Sequence, residues 1–513
     1  MLLPTLTGIL LAASFPRSDQ GCLAWIAFIP LLLFLLDTGT ITRAFCGGFA
    51  AGAVQCFILL PWMRTVLMNY GGMHKILAWL IYGLAVAVIA CFPGIACALT
   101  KFLMRHLGVS TFLLFPATWV CLEYVQSFFP FGGFPWLLVG YSQTRYLTII
   151  QAADLVGVYG ITFLILWTNC ALAWAIWSKG RALRRSVPMI SAVLLSAGCI
   201  VYGKGAMNNW AKVKREFRAV MLQADLDIDQ PAEILIDKLR TGYLSMAESL
   251  AEERYDLLIL PESPTPVSFP HDAAYREALE KLARRYELGL VFNNISYTGK
   301  HGRERYYNSA VFMTPGGSIA GIYHKIHLVP FGEYLPLRKI FSSFAQTITR
   351  DVGEFSSGEE HLVVGMKGHT ANAIICFEAV FPGLVRRFVQ HGSQLIINLT
   401  NDRWYGNSSA PYQHLAIARW RAIENRRYLL RAANSGVTAV IEPTGRIQVA
   451  TQILQEAVCI GGFAFLQRQT FYTRYGDVFV LLCAIIIFVV FAFASFRIIA
   501  LRRNECSRNC TKE

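Results

Sequence analysis

The chain has 513 residues, of which 54% are hydrophobic and only 16% charged, and it carries a formal net charge of +14. That balance excludes a disordered protein and an ordinary soluble enzyme. In a nucleic-acid binder the positive charge would gather on one face among aromatics, but here membrane topology has first claim on it.

A bilayer core of about 30 Å takes about 20 apolar residues as a helix. Eight runs approach that length, at 1–16, 21–36, 44–61, 76–100, 110–126, 158–178, 187–203 and 477–500. The first has no basic residue ahead of its apolar stretch and another apolar stretch follows at once, so it reads as a span and not as a cleaved signal. Cytoplasmic loops hold Lys and Arg in excess. With a cytoplasmic N-terminus, twelve basic residues fall inside (Arg43, Lys101, Arg105, Lys179, Arg181, Arg184, Arg185, Arg497, Arg502, Arg503, Arg508 and Lys512). Only Arg17, Arg64, Lys75 and Arg145 fall in the short outside loops. The bias predicts both termini in the cytoplasm and the middle segment on the other side. The predicted organisation is a membrane domain of seven spans at 1–203, an extramembrane domain at 204–476, a C-terminal transmembrane helix at 477–500 and a basic cytoplasmic tail at 501–513.

Residues 204–476 are richer in acidic residues and punctuated by Gly, Pro and Asn. Strand patterns occur at 217–224, 255–261, 289–297, 308–314, 318–324, 370–376, 394–399 and 436–442. Helical spacing occurs at 231–253, 271–288, 382–391 and 411–434, the last opening on Pro411 and carrying Arg419, Arg421, Arg426, Arg427 and Arg431. Strands alternating with helices predict an α/β fold whose sheets are covered by helices.

Of 13 cysteines, only Cys376 and Cys459 belong to this domain. In an oxidising compartment the two could form a disulfide. Cys376 ends the apolar run Asn372-Ala373-Ile374-Ile375, where a strand stops and the chain turns toward a helix. Such a position exposes a nucleophile, although on position alone a buried structural thiol is the commoner reading. Two other residues shift the balance. Glu262 follows Leu257-Leu258-Ile259-Leu260-Pro261, and Lys325 follows Gly321-Ile322-Tyr323-His324. Sites in α/β sheets gather at the carboxyl ends of strands. Glu, Lys and Cys each at such an end offer a base for the thiol proton, a cation for an oxyanion and a nucleophile that can form a thioester.

Pro261-Glu262-Ser263, the stretch from His324-Lys325 to Gly332-Glu333-Tyr334-Leu335-Pro336 and the block Cys376-Phe377-Glu378 resemble the Glu-Lys-Cys triad of the nitrilase superfamily. With spans on both flanks, the chain resembles the bacterial apolipoprotein N-acyltransferases over nearly its whole length. Phe131-Gly132-Gly133-Phe134-Pro135-Trp136 with Gly140-Tyr141-Ser142-Gln143 is similar to a membrane-domain signature of that family. Thr400-Asn401-Asp402, Trp404-Tyr405-Gly406, Pro411, Gln413-His414 and Arg419 to Glu424 are similar to its segment after the nucleophile. The resemblance implies an αββα sandwich beside about eight spans, in the bacterial inner membrane with the sandwich on the periplasmic side. It implies transfer of an acyl chain from a phospholipid donor to the N-terminal amine of a diacylglyceryl lipoprotein acceptor through a thioacyl-enzyme on Cys376. Glu262 would be the base, Lys325 the oxyanion partner, and Glu333 and Glu378 would support them by orienting Lys325 and the amine. A monomer working at the bilayer without cofactor, metal or nucleic acid is expected.

Two positions depart from the family pattern. Phe377 stands where a Tyr is common, keeping the ring without its hydroxyl, and 224–233 lacks the Trp usually found after Gln223.

Other readings are weaker. His324 and His327 could suggest a metal, but no third ligand accompanies them. The arginine-rich stretch is read as packing His414, Leu415 and Ala418 on the sheet while its arginines pair with Glu424 and neighbours or face lipid headgroups. Phe128, Phe129, Phe131, Phe134 and Trp136 suit an interfacial or re-entrant loop, and 341–357 reads as a lid or a plain long loop. A membrane-anchored amidase would need only one anchor. A transporter would carry paired ionisable residues inside its spans, where Glu123 stands nearly alone, and an inactive scaffold would not keep the whole triad.

Overall fold

The computed structural model describes residues 1–178, 182–227, 230, 233–234, 237, 254–262, 269, 272–299, 304–336 and 355–510. The helical pattern at 231–253 and the loop at 341–357 lie almost wholly outside them. The chain divides into two compact units, residues 1–61, 79–203 and 477–513 in one and 62–78 with 204–476 in the other.

In the first unit, Ile41–Leu59, Lys75–Leu107, Ala153–Trp177, Ser186–Trp210 and Val478–Ala500 are helices long and apolar enough to cross a membrane. The other three predicted spans are helical but shorter. Leu2–Ser14 has 13 residues. The 21–36 run breaks into a 3-10 turn and the helices Ala24–Ala27 and Ile29–Asp37, with Pro30 opening the last. The 110–126 run joins a 3-10 turn, Val109–Leu114, to a 12-residue helix, Phe115–Gln126. Close helix contact depends on small residues: a side chain on Gly8 would collide with Ala51 and Val54. Glu123 accepts from Trp119 Nε1 at 3.1 Å and from the Val139 backbone at 2.8 Å, and so pins one end of the aromatic loop. In that loop Phe128, Phe129 and Phe131 are exposed, whereas Trp136 is buried and stacks on Phe134.

The described residues of the second unit form twelve strands: β1 (Phe217–Gln223), β2 (Leu257–Ile259), β3 (Gly289–Thr298), β4 (Arg305–Met313), β5 (Ile319–His324), β6 (Val364–Met366), β7 (His369–Ile375), β8 (Leu395–Thr400), β9 (Leu429–Ala433), β10 (Ala439–Ile441), β11 (Ile447–Ala450) and β12 (Ala457–Phe463). They form two six-stranded sheets, ordered β12-β1-β2-β3-β4-β5 and β11-β10-β9-β8-β7-β6. The centre of each sheet is parallel, β1 to β3 in one and β7 to β9 in the other. Parallel strands covered on both faces read as continuous apolar runs, and β2, β8 and β9 are buried throughout.

Side chains at alternate positions separate two layers of core. Met221, Leu257, Ile259, Val291 and Phe312 from the first sheet share a cluster with Ala373, Ile375, Ile397, Leu399 and Val440 from the second. Leu222, Leu258, Leu290, Phe292 and Val311 instead meet Tyr275, Leu279, Leu282 and Ala283 of the helix Ala273–Tyr286. Helices Pro382–Gln390 and Ala410–Asn425 add Val385, Phe388, Ala418 and Ala422 to the shared cluster. The result is the expected helix-covered sandwich.

The arginine-rich stretch corrects the sequence reading. Its helix stops at Asn425, and Leu429–Ala433 is a central strand. Arg421, Arg426, Arg427 and Arg431 are all buried. Arg421 pairs with Glu424, Arg426 donates to the Pro443 carbonyl, and Arg427 donates to the carbonyls of Ser393, Asn425 and Arg468. Carbonyl oxygens inside the domain therefore take the place of lipid headgroups for Arg426 and Arg427, while Arg421 makes the expected pair with Glu424.

Candidate active site

Glu262, Lys325 and Cys376 come together from the carboxyl ends of β2, β5 and β7. Lys325 is 1% exposed and its Nζ donates to Glu333 Oε1 at 2.9 Å, with Glu262 Oε1 3.8 Å away. Asn308, on β4, spans both acids, donating from Nδ2 to Glu262 Oε1 at 2.8 Å and to Glu333 Oε1 at 2.9 Å. The remaining carboxylate oxygens take backbone N–H groups: Asn401 on Glu262 at 3.0 Å and Val329 on Glu333 at 2.8 Å. Burial would lower the Lys325 pKa, but Glu333 first, then Glu262 and Cys376, raise it above its ordinary value, so the ammonium stays charged. Burial pushes the Glu262 carboxyl up, partly offset by Lys325.

Cys376 opens a 3-10 turn, Cys376–Val380, at φ 50°, in the left-handed region. A non-glycine residue persists there only when its surroundings over-determine it. Two contacts do so. Glu378 Oε2 accepts from the Ile375 backbone at 2.7 Å, and His414 Nε2 meets the Cys376 carbonyl at 3.1 Å. Cys376 is 5% exposed. Burial and then the Glu262 charge push its pKa up, while Lys325 pulls it down. The Glu262 charge reaches the sulfur and disfavours its ionised form, so the resting sulfur is a thiol.

Glu378 is fully buried and its oxygens are occupied: Oε1 accepts from Tyr323 at 2.6 Å and from the Ile326 and His327 backbones at 2.8 and 3.1 Å. It ties the cysteine turn to the segment carrying Lys325. Phe377 packs its ring on Phe381 at 5.1 Å. Where the family's Trp is missing, Asp225 and Asp227 instead pair with Arg403 at 3.2 and 2.9 Å.

Sequence reasoning gave no role to the group behind Cys376. His414 Nδ1 lies 3.0 Å from Asp402 Oδ1, and Arg431 Nη2 donates to Asp402 Oδ2 at 2.7 Å. All three are fully buried. Burial and Arg431 lower the His414 pKa, and a neutral ring has a single N–H for two acceptors, the cysteine carbonyl beside Nε2 and the Asp402 carboxylate beside Nδ1. Gly436 leaves room for the Asp402 carboxylate, which any Cβ there would strike. The available signal was Asp402's place just past β8, matching those of Glu262 and Cys376.

His324 hydrogen-bonds Ser309 and stacks on Tyr307, and His327 stacks on Phe381. Among the described residues no group of three or more His, Cys, Asp or Glu could hold a metal ion. Cys376 and Cys459 are both free thiols.

Two facing sheets with these residues at their strand ends define a nitrilase-type domain, and residues 236–467 match the carbon-nitrogen hydrolase family. An amidase from Nesterenkonia sp. is similar at 20% identity, covering 51% of this chain and 94% of that one with a TM-score of 0.37. Residues 7–171 match the apolipoprotein N-acyltransferase N-terminal domain. Apolipoprotein N-acyltransferases of Geobacter metallireducens and Methylococcus capsulatus are similar at 35% and 31% identity, covering 94% and 96% of this chain and 92% and 96% of theirs. The chain belongs to the apolipoprotein N-acyltransferase family, and it is a membrane protein and an acyltransferase.

Proposed function

We propose that this chain acylates the N-terminal amine of diacylglyceryl lipoproteins with a chain taken from a membrane phospholipid, in two steps through Cys376. The observation that carries the reading is the Glu262 carboxyl, 3.8 Å from the Lys325 ammonium and close enough to the Cys376 thiol for its charge to raise the thiol pKa. In the first step Glu262 takes the thiol proton as sulfur attacks the ester carbonyl. The proton passes to the departing glycerol oxygen, leaving a thioester and a lysophospholipid. In the second step the lipoprotein amine attacks the thioester, Glu262 takes its proton and the leaving thiolate recovers one. Lys325 faces the negative charge that develops on the carbonyl oxygen in both steps.

A buried thiol with a raised pKa suits a base that acts during attack better than a preformed thiolate. Glu333 holds Lys325 in place. Glu378, with its oxygens occupied, is a positioning residue for the cysteine turn, and orientation of the amine falls to groups nearer solvent. The domain at 204–476 acts on the periplasmic side of the inner membrane as a monomer, with 1–203 and 477–500 as its membrane parts and the termini, including 501–513, in the cytoplasm.

Intact-mass spectrometry of protein purified with phospholipid tests the reading. An acyl adduct on Cys376 that is discharged by a diacylglyceryl lipopeptide with a free amine is expected. No adduct, or discharge by an amine-blocked lipopeptide, refutes it.

A further inference from the structure

The short helix Pro61–Asn69 and the residues after it lie in sequence between two apolar helices, yet residues 62–78 belong to the same compact unit as 204–476. There they meet one short turn. The Trp62 ring packs edge-on against Tyr405 at 4.9 Å, and the Tyr70 ring packs edge-on against Trp404 at 4.8 Å. The Tyr70 hydroxyl donates to the Arg403 carbonyl at 3.3 Å. Three consecutive residues, 403 to 405, are therefore clasped by two aromatic side chains.

The other end of this turn is the backbone N–H of Asn401, which donates to Glu262 Oε2 at 3.0 Å. Between the two ends the turn is internally braced. The Asn401 side chain accepts from the Arg403 backbone at 3.1 Å and from Asn434 Nδ2 at 3.3 Å, and Asp402 is held by Arg431. Burial together with the charges of Cys376, Asp402 and Glu262 keeps the Tyr405 phenol well above its ordinary pKa, which puts this turn in the electrostatic field of the site.

We propose that Trp62 and Tyr70 are positioning residues that clamp the 401–406 turn and so hold the Asn401 N–H on the Glu262 carboxylate. The inference rests on the reading of Glu262 as the base. A hydrogen bond donated to a carboxylate favours its charged form and lowers its pKa, against the upward push of burial. Loosening the turn would weaken that bond, raise the carboxyl pKa and leave less of the base ionised at a given pH. The base would thereby be tuned by a segment that leads directly into two apolar helices.

The test uses full-length protein in phospholipid-containing micelles. Trp62→Ala and Tyr70→Ala are compared with Trp62→Phe and Tyr70→Phe by kcat, KM and the acid limb of the kcat/KM profile, which reports the base in the free enzyme. The alanine variants are expected to lose about tenfold in kcat with KM within about twofold. Their acid limb should move up by about half a pH unit or more. The phenylalanine variants, which keep a ring, should recover most of both. A raised KM with an unmoved limb overturns the inference in favour of substrate binding. Losses that only follow the folded fraction, with an unmoved limb, overturn it in favour of plain structural support. Should Trp62→Ala fail to fold, Tyr70→Ala carries the same readout. Glu262→Gln runs alongside. Full activity in that variant removes the base reading and this inference together, whereas an inactive Glu262→Gln with an unmoved limb in the alanine variants removes this inference alone.

Discussion

Buried charge lies on both sides of Cys376, and the two groups differ in what their polar atoms are left to do. In front, Glu262 and Glu333 flank the Lys325 ammonium, and both carboxyl side chains keep 13% exposure. Behind, Asp402, His414 and Arg431 have none and are spent on one another and on the cysteine carbonyl. The front carboxyls are partly exposed and take their donors from Asn308, Lys325 and two backbone N–H groups. The rear group fixes a backbone conformation that the cysteine would not otherwise hold.

Cys376→Ala should break the front alone. We expect acyl transfer to fall to background and the intact mass to show no acyl adduct, while the thermal midpoint stays within a few degrees of wild type. Arg431→Met should break the rear, leaving Asp402 buried without its cation, at a cost of about 3–5 kcal/mol. Denaturant unfolding would measure this, and a change under about 1 kcal/mol would mean that the rear group is not needed for the fold. Lys325→Met should lower the rate by about 10²–10³ without recovery at high pH, because an ionised thiol would still lack the partner of its oxyanion. Full rescue by pH would reduce the lysine to a thiol activator.

A pH series sharpens the contrast further. His414 and Asp402 are both held below their ordinary values, the first chiefly by burial and the second by Arg431 and His414 against the pull of burial. Each binds a proton more readily when unfolded, so its stabilisation is complete above the unfolded value and is lost as pH falls. For His414 that decline begins below about 6.5. The thermal midpoint should fall between about pH 7 and 5, and His414→Gln should flatten part of that slope. The smallest effect belongs to Cys459, buried on β12. Cys459→Ser should leave turnover within about twofold of wild type and cost about 1–3 kcal/mol for an added buried hydroxyl.

Glu262, Lys325 and Cys376 could be singled out in the sequence because each follows a strand-like run, and a sheet brings run ends together whatever their separation along the chain, whereas Glu333 came only from the family resemblance. The rear group was not legible, since Asp402, His414 and Arg431 come from a turn, a helix and a strand with no local spacing to connect them. β9 was hidden for a related reason. Leu429-Leu430-Arg431-Ala432-Ala433 has no β-branched or aromatic residue, and its arginine continues a helical pattern. β6 and β11, of three and four residues, are too short to show alternation. Span lengths were the least legible part of the membrane half. Composition marks an apolar run, whereas Pro30 and the 3-10 start at Val109 decide how much of it is one helix.

The first strand of the sandwich is paired to its last: Phe217 lies opposite Phe463 and Gln223 opposite Ala457. The chain therefore enters and leaves the sandwich side by side, and the sandwich is an insertion whose two ends meet. During synthesis the edge of β1 stays open until residue 463 has been made, long after β1 itself. Closure over so long a loop costs little more than over a short one, because the entropy grows only with the logarithm of length, but it comes last. A chain cut short before β12 would leave that edge unpaired and exposed to association, even with Glu262, Lys325 and Cys376 all present. The paired ends also mark where the sandwich could be excised and replaced by a short connector, or permuted, with the least disturbance to either sheet.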